Sequence, residues 1–420
     1  MKAIITDKKV VVVGLGKTGL SCVRYLHAQG KQIIVMDTRN TPPGLDELIA
    51  GYPNVQCILG RLDKNILCAS DEIILSPGLA LSTSEIQAAV NNQVLVRGDI
   101  DLFAEAAKAP IIAITGSNGK STVTTLLGDM AKKTGLNVGL GGNLGIPALD
   151  LLDGAKDLYV LELSSFQLET THTLNAKSVV LLNLSEDHMD RYPNKMAYLQ
   201  AKQRIFRGAK NIIVNDDEPL SSPLVNSSMK LTHFGLQSND LDKFSVLTKD
   251  GERYLAKGFD ALISVNELAI RGEHNISNAL AALALGSSVG LVMPKMLDAL
   301  KEFKGLSHRC QFVRSVAGVE YVNDSKGTNP GSVVTALNSL GKEISGKVVL
   351  IAGGDSKEAD LGSLGEPVKR FVKALVLIGV DAEKFKLLLG SITSVYKEDT
   401  MAMAVGKAHS IAESGDLVLL

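Results

Sequence analysis

Thr115-Gly116-Ser117-Asn118-Gly119-Lys120-Ser121-Thr122 follows the apolar run Ile111–Ile114 and opens an amphipathic stretch, so it reads as a strand, a glycine turn and a helix. The spacing is that of a shortened phosphate loop. In the common form GxxxxGK[ST] the first glycine would stand at Ile114, whereas here it stands at Gly116. The chemistry survives the contraction: backbone amides can cradle phosphate oxygens, Lys120 can neutralise their charge, and the Ser121 or Thr122 hydroxyl can reach a divalent ion. An incidental turn with a solvated lysine is the plain alternative.

A second glycine turn lies upstream, at Gly14-Leu15-Gly16-Lys17-Thr18-Gly19, directly after the strand Val10–Val13. Asp37 closes the next apolar run at the distance expected of a carboxylate that takes a ribose hydroxyl. Such a loop recognises a diphosphate at a helix N-terminus and does not distinguish a nicotinamide dinucleotide from a nucleotide sugar. Read alone it suits an oxidoreductase. Two phosphate loops in one chain suggest instead a diphosphate-bearing ligand in one domain and a nucleoside triphosphate in the next.

Working outward, short Val/Ile/Leu runs alternate with amphipathic stretches along most of the chain, including Ile33–Met36, Ile73–Leu75, Leu158–Leu163, Val179–Leu182, Ile212–Val214, Val348–Ile351 and Ala374–Ile378. Continuous apolar runs of this length suit parallel strands covered on both faces. The segment 230–271 alternates and carries Asp250-Gly251, which predicts an antiparallel patch. The fold class is α/β with three domains. A Rossmann-like unit is expected at residues 1–97, a central P-loop-type ATPase unit with a mainly parallel sheet at 98–304, and a second Rossmann-like unit at 305–420. At 420 residues the chain exceeds what one hydrophobic core supports.

Composition excludes several classes. Lys+Arg 44 against Asp+Glu 45 leaves a net charge of -1, and Trp is absent, so nothing suits nucleic acid or an anionic membrane. The weakly polar stretch Ile276–Met293 is broken by Asn278, Ser287 and Ser288 and reads as a buried helix. Cys22, Cys57, Cys68 and Cys310 are scattered outside CxxC spacing, which argues against a disulfide framework or zinc site. No secretory signal precedes the first strand, so a cytoplasmic location is expected.

Further strand ends carry chemistry. Glu162 closes one apolar run, and His188 lies in Asp187-His188-Met189-Asp190-Arg191 after the next. In open parallel sheets ligands gather beyond the carboxyl ends of strands, which places both near Lys120 as reasonable ligands for Mg²⁺ or Mn²⁺, although a lone His is more often a helix-capping or packing residue. Lys202 falls among Lys195, Arg204 and Arg207, and by spacing alone is a solvated basic face. Asn323-Asp324-Ser325-Lys326-Gly327-Thr328-Asn329 and Gly353-Gly354-Asp355-Ser356-Lys357 are polar turns after strands of the third unit.

These motifs, with Glu162-Leu163-Ser164-Ser165-Phe166-Gln167-Leu168, Gly272-Glu273-His274-Asn275 and His308-Arg309, stand in the order of one family. Over essentially the whole length the chain resembles the Mur ligases. Met36-Asp37-Thr38-Arg39 and Ser76-Pro77-Gly78 resemble the branch that adds D-glutamate. The resemblance implies an ATP-dependent amide ligase with UDP-N-acetylmuramoyl-L-alanine and D-glutamate as substrates, and a monomer in solution. Lys17, Thr18, Asp37, Thr38, Arg39 and Gly78 would hold the uridine diphosphate, and Asn143 and Ser164 the rest of the acceptor. Gly116, Ser117, Asn118, Gly119, Lys120, Ser121 and Thr122 would carry the ATP phosphates, with Asn275, Arg309 and Asp324 on the nucleotide. Ser121, Glu162, His188 and Lys202 would serve two Mg²⁺ ions, Lys202 as a carbamate formed with CO₂. Lys120, His188 and Lys202 are the expected catalytic groups, and Lys326, Thr328 and Lys357 would meet D-glutamate. The family continues past the last strand into a segment that supplies a Ser and a Phe to the amino-acid pocket. This sequence stops at Asp416–Leu420, so an impaired D-glutamate site is expected.

Overall fold

The structure, a computed structural model, describes residues 8–223, 229–237, 240–356 and 359–420. Three sheets organise it. The first contains β1 (Lys9–Val13), β2 (Gln32–Asp37), β3 (Gln56–Leu59), β4 (Glu72–Leu75) and β5 (Leu95–Arg97), all parallel, in the order β3-β2-β1-β4-β5. Val10 to Val13 are buried throughout because helices cover both faces of β1, the central strand. That double burial is why the run is continuously apolar rather than alternating.

The second sheet contains β6 (Ile111–Thr115), β7 (Val138–Gly142), β8 (Leu158–Glu162), β9 (Ser178–Leu181), β10 (Asn211–Asn215), β11 (Lys230–Phe234), β12 (Phe244–Lys249), β13 (Glu252–Lys257) and β14 (Asp260–Ser264). Their order is β14-β13-β12-β11-β10-β9-β6-β8-β7. The antiparallel patch is smaller than the sequence predicted. β11 runs parallel to β10, and only β12 to β14 pair antiparallel. The helix Glu273–Ser288, built from Ala and Leu, is buried with the helix Lys120–Lys133 in one apolar cluster against this sheet. No helix of the described residues is long and apolar enough to cross a membrane.

The third sheet contains β15 (Gln311–Val316), β16 (Val319–Asn323), β17 (Val348–Gly353), β18 (Val372–Ile378), β19 (Ser394–Lys397) and β20 (Leu417–Leu419), ordered β15-β16-β20-β17-β18-β19. β15 and β16 form an antiparallel hairpin and the other pairs are parallel.

The junctions between units differ in kind. Apolar residues of the first and second units belong to one cluster, joined through Ile100, Leu102 and Phe103 of the helix Asp99–Ala106. Phe103 meets Tyr159 edge-on with centroids 4.9 Å apart. Burying a Phe contributes about 2–3 kcal/mol, so this seam is firm. The third unit keeps its own apolar clusters and meets the second through polar contacts. A polar seam gives up little when it opens.

Candidate active site

A cleft of ≈ 490 Å³ opens where the strand order of the first sheet reverses, at the carboxyl ends of β1 and β4. Lys17, Thr18, Asp37, Thr38, Arg39 and Gly78 line it from the first unit, and Asn143 and Gln167 from the second. Gly14 makes its turn at φ 94, where an added Cβ would lie 2.8 Å from that of Ser76. Asp37 is more committed than the sequence suggested. Its carboxylate accepts from Leu15 N (2.7 Å), and from Arg39 N (2.9 Å), Nε (2.8 Å) and Nη2 (2.7 Å). Burial alone would raise its pKa, but the Arg39 and backbone hydrogen bonds prevail and hold it below the usual carboxylate range. Asp37 therefore braces the glycine loop and aims Arg39 at the cleft. Ser164 sits behind the rim, capping a short helix in a reciprocal capping box with Gln167.

A second cleft of ≈ 380 Å³ lies between the second and third units. Asn118, Gly119, Thr122 and Asn275 line one side, and Arg309, Asp324 and Lys326 the other. Gly119 begins the helix Lys120–Lys133 at φ 82, and a Cβ there would lie 2.5 Å from Asn278 Oδ1. Asp324 accepts from Cys310 N (2.9 Å), and burial raises its pKa to about 6. Thr328 is exposed in the adjoining turn, and Lys357 lies outside the described residues.

One side chain stands between the clefts. Glu162, at the end of β8 and 3 % exposed, accepts from Asn143 Nδ2 on Oε1 (2.6 Å) and from Ser121 Oγ on Oε2 (2.6 Å). Ser121 Oγ in turn accepts from Arg309 Nη2 (2.9 Å). Asn143 belongs to the first cleft and Arg309 to the second, so a single polar chain runs from one cleft to the other.

Sequence profiles agree with this arrangement along the chain. "Mur ligase MurD-like, N-terminal domain" matches residues 8–98, "Mur ligase middle domain" residues 114–286, and "Mur ligase, glutamate ligase domain" residues 308–420. The UDP-N-acetylmuramoylalanine–D-glutamate ligase of Marinobacter nauticus is 53% identical over 420 residues, spanning 100% of this chain and 94% of that protein. The enzyme of the same name from Pseudomonas aeruginosa is 52% identical over the same span, again 94% of its length. The chain belongs to the Mur ligase family. Solved structures share its fold at low identity. The UDP-N-acetylmuramate–alanine ligase of Thermotoga maritima gives a TM-score of 0.60 at 18% identity, covering 98% of this chain and 94% of that one. A MurF ligase of Thermotoga maritima in complex with ADP gives 0.60 at 15%, covering 100% and 94%.

In this Mur ligase the two candidate lysines converge on one carbonyl. Lys120 Nζ donates to Gly116 O (2.9 Å) and Ser117 O (2.8 Å), and Lys202 Nζ donates to Gly116 O (2.8 Å). The solvated face expected for Lys202 is not what forms. Lys202 is 1 % exposed, because the helix Lys195–Gln203 turns it inward over the Tyr198 ring, 4.6 Å from the centroid. Burial pushes its ammonium well below the usual lysine range, and the neighbouring Lys120 adds to this; burial also lowers Lys120.

The fit to divalent ions is uneven. Ser121 and Glu162 present hard oxygen donors 2.6 Å apart, which suits an ion that keeps several water or phosphate ligands. Lys202 as an ammonium has no lone pair to offer an ion. His188 sits at φ 58 with its ring 4.7 Å from that of Phe166 and Nε2 3.7 Å from Asp187 Oδ2. Among the described residues no three His, Cys, Asp or Glu cluster as a ready-made cage.

Several residues at the site escaped sequence reasoning. Asn183 pins the phosphate loop, accepting from Asn118 N (2.9 Å) and donating to Asn118 O (3.1 Å). Ser185, also missed, accepts through its backbone O from the Oγ of the expected Ser117 (2.9 Å). Asn329, capping the helix Pro330–Leu340 of the third unit, donates to Asn118 Oδ1 (3.1 Å) and Asp187 Oδ2 (3.3 Å). Asn329 does end a polar turn visible in the sequence, but nothing there names its partner.

Proposed function

We propose that this chain joins the carboxylate of UDP-N-acetylmuramoyl-L-alanine to the amine of D-glutamate, consuming ATP and releasing ADP and phosphate, as a step in building peptidoglycan precursors. The observation that carries the reading is Glu162, held between the two clefts by Asn143 and Ser121. A carboxylate does not react with an amine at neutral pH. The acceptor carboxylate first attacks the terminal phosphorus of ATP, displacing ADP and forming an acyl phosphate. The D-glutamate amine then attacks the acyl carbon, loses a proton and expels phosphate.

Each residue's part follows from its place. Lys17, Thr18, Thr38, Arg39 and Gly78 hold the uridine diphosphate, Asp37 braces them, and Asn143 and Ser164 orient the muramoyl-alanine end. The amides of Gly116 to Ser121 cradle the triphosphate, and Lys120 exchanges its two carbonyl partners for phosphate oxygens as charge spreads in the transition state. Asn275, Arg309 and Asp324 take the nucleotide. Ser121, Glu162 and His188 would hold Mg²⁺, which would supply charge neutralisation at the phosphates. The buried, easily deprotonated amine of Lys202 is suited to attack CO₂ with loss of a proton, giving an anionic carbamate for a second ion. Lys326 lines the nucleotide cleft beside Asp324 and, with Thr328 and Lys357, is assigned to D-glutamate. The labour divides among residues 1–97, 98–304 and 305–420, and the polar seam lets the third unit close on the second and shield the acyl phosphate from water.

The test is Lys120→Ala. ADP and phosphate release should fall at least about a hundredfold, while binding of the UDP-linked acceptor, followed by calorimetry, stays within a factor of about two. Equal loss of both would overturn the assignment of nucleotide and sugar to separate clefts.

A further inference from the structure

We infer that Arg191 is a positioning residue that clamps the wall of the acceptor cleft from the second unit. The Pro77–Leu79 turn follows β4 in the first unit and lines that cleft. Arg191 reaches across to it, Nη1 donating to Pro77 O (2.8 Å) and Nη2 to Leu79 O (3.0 Å). Two carbonyls caught by one guanidinium is a geometry that a lysine's single ammonium does not reproduce.

The arginine is itself held. Nη2 also donates to Glu169 Oε2 (2.7 Å), and the guanidinium carbon lies 4.1 Å from the centroid of the Phe166 ring. Arg191 and Glu169 side chains are only 12% and 14% exposed, so the pair is shielded from competing water. Phe166 also packs on His188, with ring centroids 4.7 Å apart. The turn bordering the diphosphate loop is thereby tied to the segment that carries the candidate phosphate-side histidine. A largely shielded cation spent on two backbone carbonyls of another domain fixes the height of that wall rather than touching the reacting atoms.

The inference rests on the assignment of the first cleft to the UDP-linked acceptor. Arg191→Lys and Glu169→Gln are compared with the unaltered full-length chain for acceptor KM, ATP KM, kcat and acceptor affinity by calorimetry. Losing a charged hydrogen bond should raise acceptor KM and Kd roughly tenfold or more in Arg191→Lys. Glu169→Gln, which leaves the arginine in place but frees it, should shift them roughly threefold in the same direction. ATP KM and kcat at saturation should stay within about twofold. A proportionate loss for ATP, or unchanged acceptor affinity in both variants, overturns the clamp alone. Failure of the unaltered chain to bind the UDP-linked acceptor overturns the clamp together with the assignment beneath it. Should Arg191→Lys not fold, Glu169→Gln decides by the same split.

Discussion

Replacing Asp99 by asparagine should stabilise the protein at neutral pH and leave it unchanged near pH 4. Asp99 stands where the first unit passes into the second, 1 % exposed. Its Oδ2 accepts from Gln167 Nε2 at 3.3 Å, and its Oδ1 has no hydrogen-bond partner among the described residues. Asp101, two residues on, shows what a well-served carboxylate looks like. It accepts from His172 N (2.7 Å), Thr173 N (2.9 Å), His172 Nδ1 (2.8 Å) and Thr173 Oγ1 (3.3 Å). Burial, with a smaller contribution from the Asp101 charge, raises the Asp99 pKa from 3.8 to about 6.

The sign follows from proton counting. Between pH 3.8 and about 6 the folded chain holds a proton that the unfolded chain has released, so stability falls as pH rises through this window. Above it the loss is complete, at ~1.4 kcal/mol per unit over about two units, or ~3 kcal/mol. Asparagine never ionises, and its carbonyl can still accept from Gln167. Thermal unfolding across pH 4 to 8 should show the two chains converging at the acid end. At the neutral end the variant should melt about 3 °C higher if the whole chain unfolds together, and more if the first two units melt alone. Parallel pH profiles, or a variant less stable at neutral pH, would refute the claim that an ionised Asp99 is a cost to the fold.

Two further outcomes bear on the reaction. Lys202→Met should reduce turnover at least about a hundredfold; carbon-13 bicarbonate should give a carbamate resonance in the unaltered chain and none in the variant, and its absence from both would remove the modification from the reading. Asn329→Ala removes the donor that joins the third unit to Asn118 and Asp187, at a cost of about 1–2 kcal/mol of closure. ATP KM should rise roughly tenfold with acceptor Kd unmoved, and a change in acceptor Kd instead would contradict a nucleotide-side role.

The strand–loop–helix units were legible because a parallel strand buried on both faces must be continuously apolar, as in Val10–Val13 and Ile111–Ile114, and because a turn against phosphate needs glycine. β7, with Gly at three of its five positions, carries too few side chains to signal a strand; its place comes from pairing with β8. The parallel pairing of β11 escaped because parallel and antiparallel strands share one local pattern. Glu162 was legible as a carboxylate at a strand end, yet its bridging of Asn143 and Ser121 depends on β7, β8 and the phosphate-loop helix meeting in space. Lys202 reads as solvent-facing from its charged neighbours along the helix, and becomes a buried amine only because that helix packs beside the loop. The chain's own order therefore determines residue types and local turns, whereas partnerships between Asn118 and Asn329, or Arg191 and Pro77, arise across separations in sequence that no local pattern spans.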